Sequence, residues 1–224
     1  MTAEYKCMKT YEGLPDTEKS LSLTKNFEKS GLIDKTANML DDRVYLFSGT
    51  ADSVIDPEVM HSLQTYYQFL VQPYNIVADY GVKAEHCWPT PSFGEACATL
   101  SSPYIGKCNF DGAASALKTL YGDDLSAAVT AKSANLKSFS QTAYIPDKTS
   151  SLGDTGYIYV PTTCQNGAEC HLHIAFHGCE QTLDLIGNSF AANAHLNEWA
   201  ESNNIIVLYP YAKRSKSNPS NPNG

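Results

Sequence analysis

Three strand-ending turns, in a fixed order along the chain, constrain this sequence more than any other feature. VYLFSGTAD carries Val44–Phe47 into the turn Ser48-Gly49-Thr50-Ala51-Asp52. Residues Asn75–Val82 then feed a loop that holds His86 in AEHCWPT. Last comes the apolar run HLHIAFHGC, which ends in His177-Gly178-Cys179. Open α/β sheets place their ligand sites at the C-terminal ends of their strands. The order predicted at that edge is therefore a carboxylate, an imidazole, and then a His-Gly turn.

The chain has 224 residues, 42 % of them hydrophobic and 11 % aromatic, enough to bury the core of one substantial domain. Sixteen basic against 24 acidic residues leave a net charge of -8, which argues against a nucleic-acid partner. No apolar run approaches the ~20 residues of a membrane-spanning helix, so no membrane span is expected. The opening MTAEYKCMKT has no apolar h-region and does not read as a secretory signal.

Seven cysteines point to an oxidising compartment. Cys97 and Cys108 bracket a Pro-Tyr turn, and Cys164 and Cys170 bracket Gly167, so both pairs are candidate local disulfides. The alternative is reduced, partly buried thiols. Cys7, Cys87 and Cys179 remain, an odd number whose partners would lie outside the chain. No tight C-x₂₋₄-C cluster of the kind zinc uses is present.

Strand and helix patterns alternate. Residues 1–42 are polar with weak helical signal. Pro57 opens a helix with Val59, Leu63, Tyr66, Tyr67 and Leu70 on one face. Residues 87–110 read as a long loop, and GAASALKTLYG as a helix ending at Gly122. Phe139–Ile145 and Gly156–Pro161 alternate like half-buried strands. His171–Phe176 and Asn204–Tyr209 are apolar runs suited to central parallel strands, with a helix over Phe190–Glu201 between them. The tail KRSKSNPSNPNG ends the chain as a polar loop, giving one domain over 1–224 with a loop or tail over 211–224.

Asp52 is the candidate acid, since a turn at a strand end can hold a carboxylate where it orients an imidazole. The alternative is an aspartate that only closes an Asx turn. Asp56 is the second choice, but its place before Pro57 suits a helix N-cap. His86 is the candidate base, against the plainer reading of a solvated loop histidine. His171, His173 and His177 share a strand face, yet His177 would lie about 13 Å from His173, too far for one metal ion. The backbone carries the better reading: beyond Gly178, the amide of Cys179 can donate to a developing oxyanion. No Gly-x-Ser-x-Gly segment occurs. Gly187-Asn188-Ser189-Phe190-Ala191 comes close, but no strand runs into Ser189, which reads as a helix start. Thiol catalysis by Cys87 or Cys179 lacks a basic cluster or helix dipole to support it.

The stretches VYLFSGTADSVID, AEHCWPT, CATLSSPYIGKCNFDGAASALKTLYG, GYIYVPTTCQNGAECHLHIAFHGCEQT and NEWAESNNIIVLYP together resemble extracellular poly(3-hydroxybutyrate) depolymerases of the single-domain, circularly permuted α/β-hydrolase type. The resemblance covers roughly residues 43–122 and 139–224. It implies a permuted α/β-hydrolase fold, a mostly parallel sheet flanked by helices, incomplete at both ends. It also implies a secreted, disulfide-bonded Ser-His-Asp polyester hydrolase that needs no cofactor and no metal. Asp52 matches the triad acid, His86 the triad base and Cys179 the residue whose amide forms half of the oxyanion hole. The nucleophile elbow belongs several tens of residues before Asp52, so the nucleophilic serine is expected to lie outside this chain, which by itself would be inactive. The substrate implied is a polyester or a small ester. Two alternatives stay open: a non-catalytic binding protein on the same fold, and a feruloyl, acetyl or lipid esterase.

Overall fold

The computed structural model describes residues 3–145, 150–216 and 221–224. Of the polar tail expected over 211–224, positions 217–220 lie outside the described residues. The chain forms two compact units. The first comprises Met1–Cys87, Cys97–Leu100 and Ser115–Asp123, and the second Trp88–Ala96, Ser101–Ala114 and Asp124–Gly224.

After a short π-helical segment over Ala3–Met8, the first unit forms a helix that the apolar pattern did not announce, α1 (Thr17–Lys29). It buries none of its residues, so it has no apolar stripe to read. Its start is set by Asp16, whose side chain accepts the Lys19 N–H at 2.8 Å as an N-cap. Strand β1 (Val44–Phe47) is followed by α2 (Pro57–Gln68), with Pro57 in the first turn as expected and Val59 in the core. Asp56 is the N-cap residue as expected, but its side chain makes no capping bond. Its carboxylate is taken by the N-terminal segment, accepting from Thr10 N at 2.8 Å and Thr10 Oγ1 at 3.0 Å. Strand β2 (Ile76–Asp79) pairs with β1 in parallel, Val44 across from Ile76 and Phe47 across from Asp79.

Beyond the paired strands the two backbones stay zipped. Ser48 N–H donates to Asp79 O, Thr50 N–H to Val82 O and Ala51 N–H to Ala84 O. This is possible because position 49 has no side chain: a Cβ there would stand 2.0 Å from the Ala84 carbonyl oxygen. The same ladder carries the two chains onward to Asp52 and His86.

In the second unit the stretch expected to be a long loop contains three short parallel strands, β3 (Trp88–Thr90), β4 (Glu95–Ala96) and β5 (Ile105–Lys107), in the order β3-β5-β4. They are too short for periodicity to register them. Helix α3 (Gly112–Tyr121) stops at Gly122, which takes φ 110°, as its sequence required. Strands β6 (Leu136–Ser140) and β7 (Thr155–Tyr159) follow, then α4 (Thr162–Gln165), β8 (His171–Ile174), α5 (Leu183–Ile186), α6 (Ser189–Asn193), α7 (Leu196–Asn203) and β9 (Ile205–Tyr209). The four strands run in the order β6-β7-β9-β8, with β8 parallel to β9 and the other two pairings antiparallel.

Strand β9 is central, with Ile205, Val207 and Tyr209 fully buried. The other apolar run, β8, ends the strand order instead, and Leu172, Ile174 and Phe176 are exposed. The single helix expected over Phe190–Glu201 is two helices. His195 takes a left-handed φ of 62°, and the Ala194 carbonyl turns away to accept the Trp88 indole N–H at 2.8 Å. Asn204, another residue that tolerates this region, ends α7 at φ 53° and starts β9. Cys164 and Cys170 are joined by a disulfide, and Cys97 and Cys108 are disulfide-bonded too, so both candidate pairs are oxidised. Cys7, Cys87 and Cys179 are free thiols.

Candidate active site

The two loops that leave β1 and β2 bring Asp52 and His86 together inside the first unit. His86 Nδ1 lies 3.0 Å from Asp52 Oδ2. A carboxylate can only accept, so Nδ1 carries the proton and Nε2 is left as the basic nitrogen. The other oxygen is engaged separately: Asp52 Oδ1 accepts the N–H groups of Val54 and Ile55, each at 2.8 Å. The Asx turn and the imidazole partner are thus one residue in both roles, divided between its two oxygens. The Asp52 side chain is 9 % exposed and His86 47 %, which shields the carboxylate and leaves the imidazole open.

Burial works against the Asp52 charge, but the His86 bond and the two backbone N–H groups outweigh it and hold the carboxyl below its ordinary value. His86 moves the other way. The hydrogen bond it donates to Asp52 raises its pKa against partial burial, helped by the charges of Asp52 and Glu85.

Glu85 gave no signal in the sequence beyond standing next to His86. It is 8 % exposed, and a single oxygen, Oε2, accepts the Ser53 N–H at 3.1 Å and the His86 N–H at 2.7 Å. Burial opposes the charge there too, yet a bond from the Ser53 side chain, with the His86 and Ser53 N–H groups, keeps the Glu85 pKa below the ordinary carboxylate value. Cys87, the next residue, is disfavoured as a thiolate: burial and the charges of Asp52 and Glu85 push its thiol up to about 11.

The His-Gly-Cys turn belongs to the second unit. Gln181, 4 % exposed, accepts the Gly178 N–H through Oε1 at 2.7 Å and donates from Nε2 to the Pro103 carbonyl at 2.8 Å. His177 accepts the Ala212 N–H on Nε2 at 2.9 Å, so its Nδ1–H donates to the Gly178 carbonyl at 2.8 Å. Its ring stacks on Tyr211 at 4.9 Å. The Gln181 N–H reaches the same Gly178 carbonyl at 3.3 Å. Because the peptide is planar and trans, a fixed Gly178 carbonyl fixes the Cys179 N–H on the opposite side. That N–H makes no hydrogen bond to any described residue. Sequence reasoning singled out the Cys179 amide but not the side-chain bonds that hold the neighbouring carbonyl, since His177 and Gln181 bond backbone groups, some of them as distant as Ala212 and Pro103. Ser189 begins α6, with its hydroxyl donating to the Ile186 carbonyl at 2.8 Å.

The mixed α/β architecture, and an acid and a base on the turns after paired parallel strands, define an α/β-hydrolase-like protein. Comparisons with known proteins narrow the class. The chain is 39 % identical over 222 residues to a poly(3-hydroxybutyrate) depolymerase of Delftia acidovorans, covering 97 % of this chain and 44 % of that protein. It is 34 % identical over 210 residues to a polyhydroxybutyrate depolymerase of Talaromyces funiculosus, covering 92 % of this chain and 60 % of that one. The crystal structure of PHB depolymerase from Penicillium funiculosum superposes with a TM-score of 0.86 at 33 % identity, over 99 % of this chain and 71 % of that chain. A PHB depolymerase serine-to-alanine variant complexed with an R3HB trimer also gives 0.86, at 34 % identity. No protein-family model matches the chain. The chain belongs to the poly(3-hydroxybutyrate) depolymerase family. It spans about half the length of the curated relatives it matches, 44 % and 60 % of them.

Proposed function

We propose that these residues supply the acid, the base and one oxyanion donor of a secreted serine polyester hydrolase acting on 3-hydroxyalkanoate esters. The observation that carries this reading is the 3.0 Å pair between His86 Nδ1 and Asp52 Oδ2, which frees Nε2 to act as a base. A serine hydroxyl loses its proton to His86 Nε2 as its oxygen attacks the ester carbonyl. Asp52 holds the imidazole in the right tautomer and stabilises the imidazolium. The Cys179 amide donates to the oxyanion, a contribution of about 3 kcal/mol for such a group. His86 then returns the proton to the leaving alcohol, and water repeats the sequence to release the acid. With no Gly-x-Ser-x-Gly in the 224 residues, this reading assigns the serine to sequence beyond them. The disulfide-bonded Cys97, Cys108, Cys164 and Cys170 support secretion.

The test is hydrolysis of poly(3-hydroxybutyrate) and of the R3HB trimer by the longest natural form that contains this chain, with acid release as the readout. His86→Ala should remove hydrolysis while leaving the melting temperature in place. Hydrolysis that survives His86→Ala would sink the reading. A natural form without any elbow serine would leave a polyester-binding protein instead.

A further inference from the structure

We propose that Glu85 is a positioning residue of the acid–base pair, its one carboxylate oxygen tying the residue after the acid to the base while its charge supports the imidazolium. The inference rests on the roles given above to Asp52 and His86. Its geometry is independent of them. Glu85 Oε2 receives two backbone N–H groups from different loops, that of Ser53 at 3.1 Å and that of His86 at 2.7 Å. Ser53 follows Asp52 directly, so one oxygen joins the loop of the acid to the loop of the base at the positions where they must stay in register. The Glu85 N–H is itself anchored, donating to the Cys97 carbonyl at 2.7 Å.

A neutral acceptor could hold those two N–H groups, so the charge calls for its own account. Glu85 and Asp52 are like charges, and the Asp52 charge opposes ionisation of Glu85, as burial does. A buried carboxylate kept ionised against both is an expensive way to satisfy two amides and the Ser53 side chain. What it gains is its field at His86, where Asp52 and Glu85 both favour the protonated ring. The remaining titratable neighbour, Cys87, is neutral near pH 7, since its thiol is pushed up to about 11. His86 therefore faces two negative charges, one bonded to its ring and one bonded to its backbone. An imidazolium formed during ester cleavage would be stabilised by both.

Because both bonds end on the same oxygen, Glu85→Gln can keep them through its amide oxygen while removing the charge. Glu85→Ala removes both. The experiment is an NMR titration of the His86 ring in the 224-residue chain and in these two variants, with proton exchange at Nδ1 and the melting temperature measured alongside. Glu85→Gln is expected to move the His86 titration midpoint down, with the Nδ1 proton still protected and the melt retained. Glu85→Ala is expected to show the same downward shift and faster Nδ1 exchange, as the pair with Asp52 loosens. An unmoved midpoint in Glu85→Gln overturns the electrostatic role. Parent-like Nδ1 protection in Glu85→Ala overturns the positioning role. Ester hydrolysis is not the readout, so the two claims fail separately. A serine-bearing natural form with no esterase activity, beside a shifted His86, loses the functional reading alone, and an active serine-bearing form with an unmoved His86 loses only this inference.

Discussion

Asp52 Oδ2 and His86 Nδ1 stand 3.0 Å apart, while Asp52 Oδ1 is fully occupied by the N–H groups of Val54 and Ile55. The carboxylate is therefore locked before the histidine meets it, and the ring is oriented by a fixed partner. Raising the His86 pKa above 6.5 has a definite sign for catalysis. In a serine-bearing form the proposed base is inactive while protonated, so hydrolysis should climb as pH rises through an inflection above 6.5. Asp52→Asn should move that inflection down and lower kcat by about 10³–10⁴-fold, as loss of the triad acid does elsewhere. A pH–rate profile of kcat/KM for both forms checks this. An inflection that does not move separates Asp52 from His86.

Gly49 is where the fold commits to that geometry. A Cβ at this position would sit 2.0 Å from Ala84 O and 2.6 Å from Ala84 C, both backbone atoms that cannot swing aside. Gly49→Ala must push apart the ladder that joins residues 48–51 to 79–84. The expected cost is about 2–4 kcal/mol, at the upper end for an overpacked site. Urea unfolding measures the stability, and the His86 ring shift reports whether the pair has separated. A variant as stable as the parent would show that the two loops are held elsewhere.

What the sequence made legible were features with their own local logic. Asp52 and His86 could be picked out because each follows a strand whose β-branched and aromatic residues are readable. Gly122 could be placed because a helix end with φ 110° selects glycine. Glu85 and Gln181 were invisible, and His177 was read only as part of its His-Gly turn, for a common reason: each bonds backbone groups, and a backbone amide leaves no mark in a sequence. Helix α1 was missed because it depends on the Asp16 cap and exposed polar residues rather than on an apolar face. The break at His195 was missed because its cause is the Trp88 indole, over a hundred positions away in the chain (a separation of 106 to Ala194). Long-range capture of one carbonyl overrides a helical pattern that is locally continuous.

His177 is expected to matter as a hydrogen-bond relay. Its ring joins the Ala212 N–H at 2.9 Å to the Gly178 carbonyl at 2.8 Å, and only the neutral tautomer with Nδ1 protonated can do both. His177→Phe would keep an aromatic ring against Tyr211 while leaving both groups without this partner. The stability loss should be about 1–3 kcal/mol. In a serine-bearing form, the freed Gly178–Cys179 peptide should lower kcat by about 10²-fold with KM little changed, because the amide is needed most in the transition state. Equal kcat values would take the Cys179 amide out of the mechanism.

Glu201 sets the acid limit of the second unit. Burial disfavours its charge, but the Thr162 hydroxyl at 2.6 Å, the Tyr159 hydroxyl at 2.7 Å and the Asn135 amide at 3.1 Å bring its pKa from 4.5 down to about 2. A carboxyl with a lowered folded pKa adds stability that is fully present above its unfolded value and is lost as pH falls through the folded one. The window is therefore between about pH 4.5 and about pH 2, and the shift corresponds to about 3 kcal/mol. Glu201→Gln should lower stability at pH 7 by an amount of that order, because a neutral amide cannot accept three donors as strongly. The difference between parent and variant should then shrink steadily below pH 4.5. Urea unfolding at pH 7, 4 and 3 measures both free energies. A gap that stays constant with pH would place the acid sensitivity on other carboxylates.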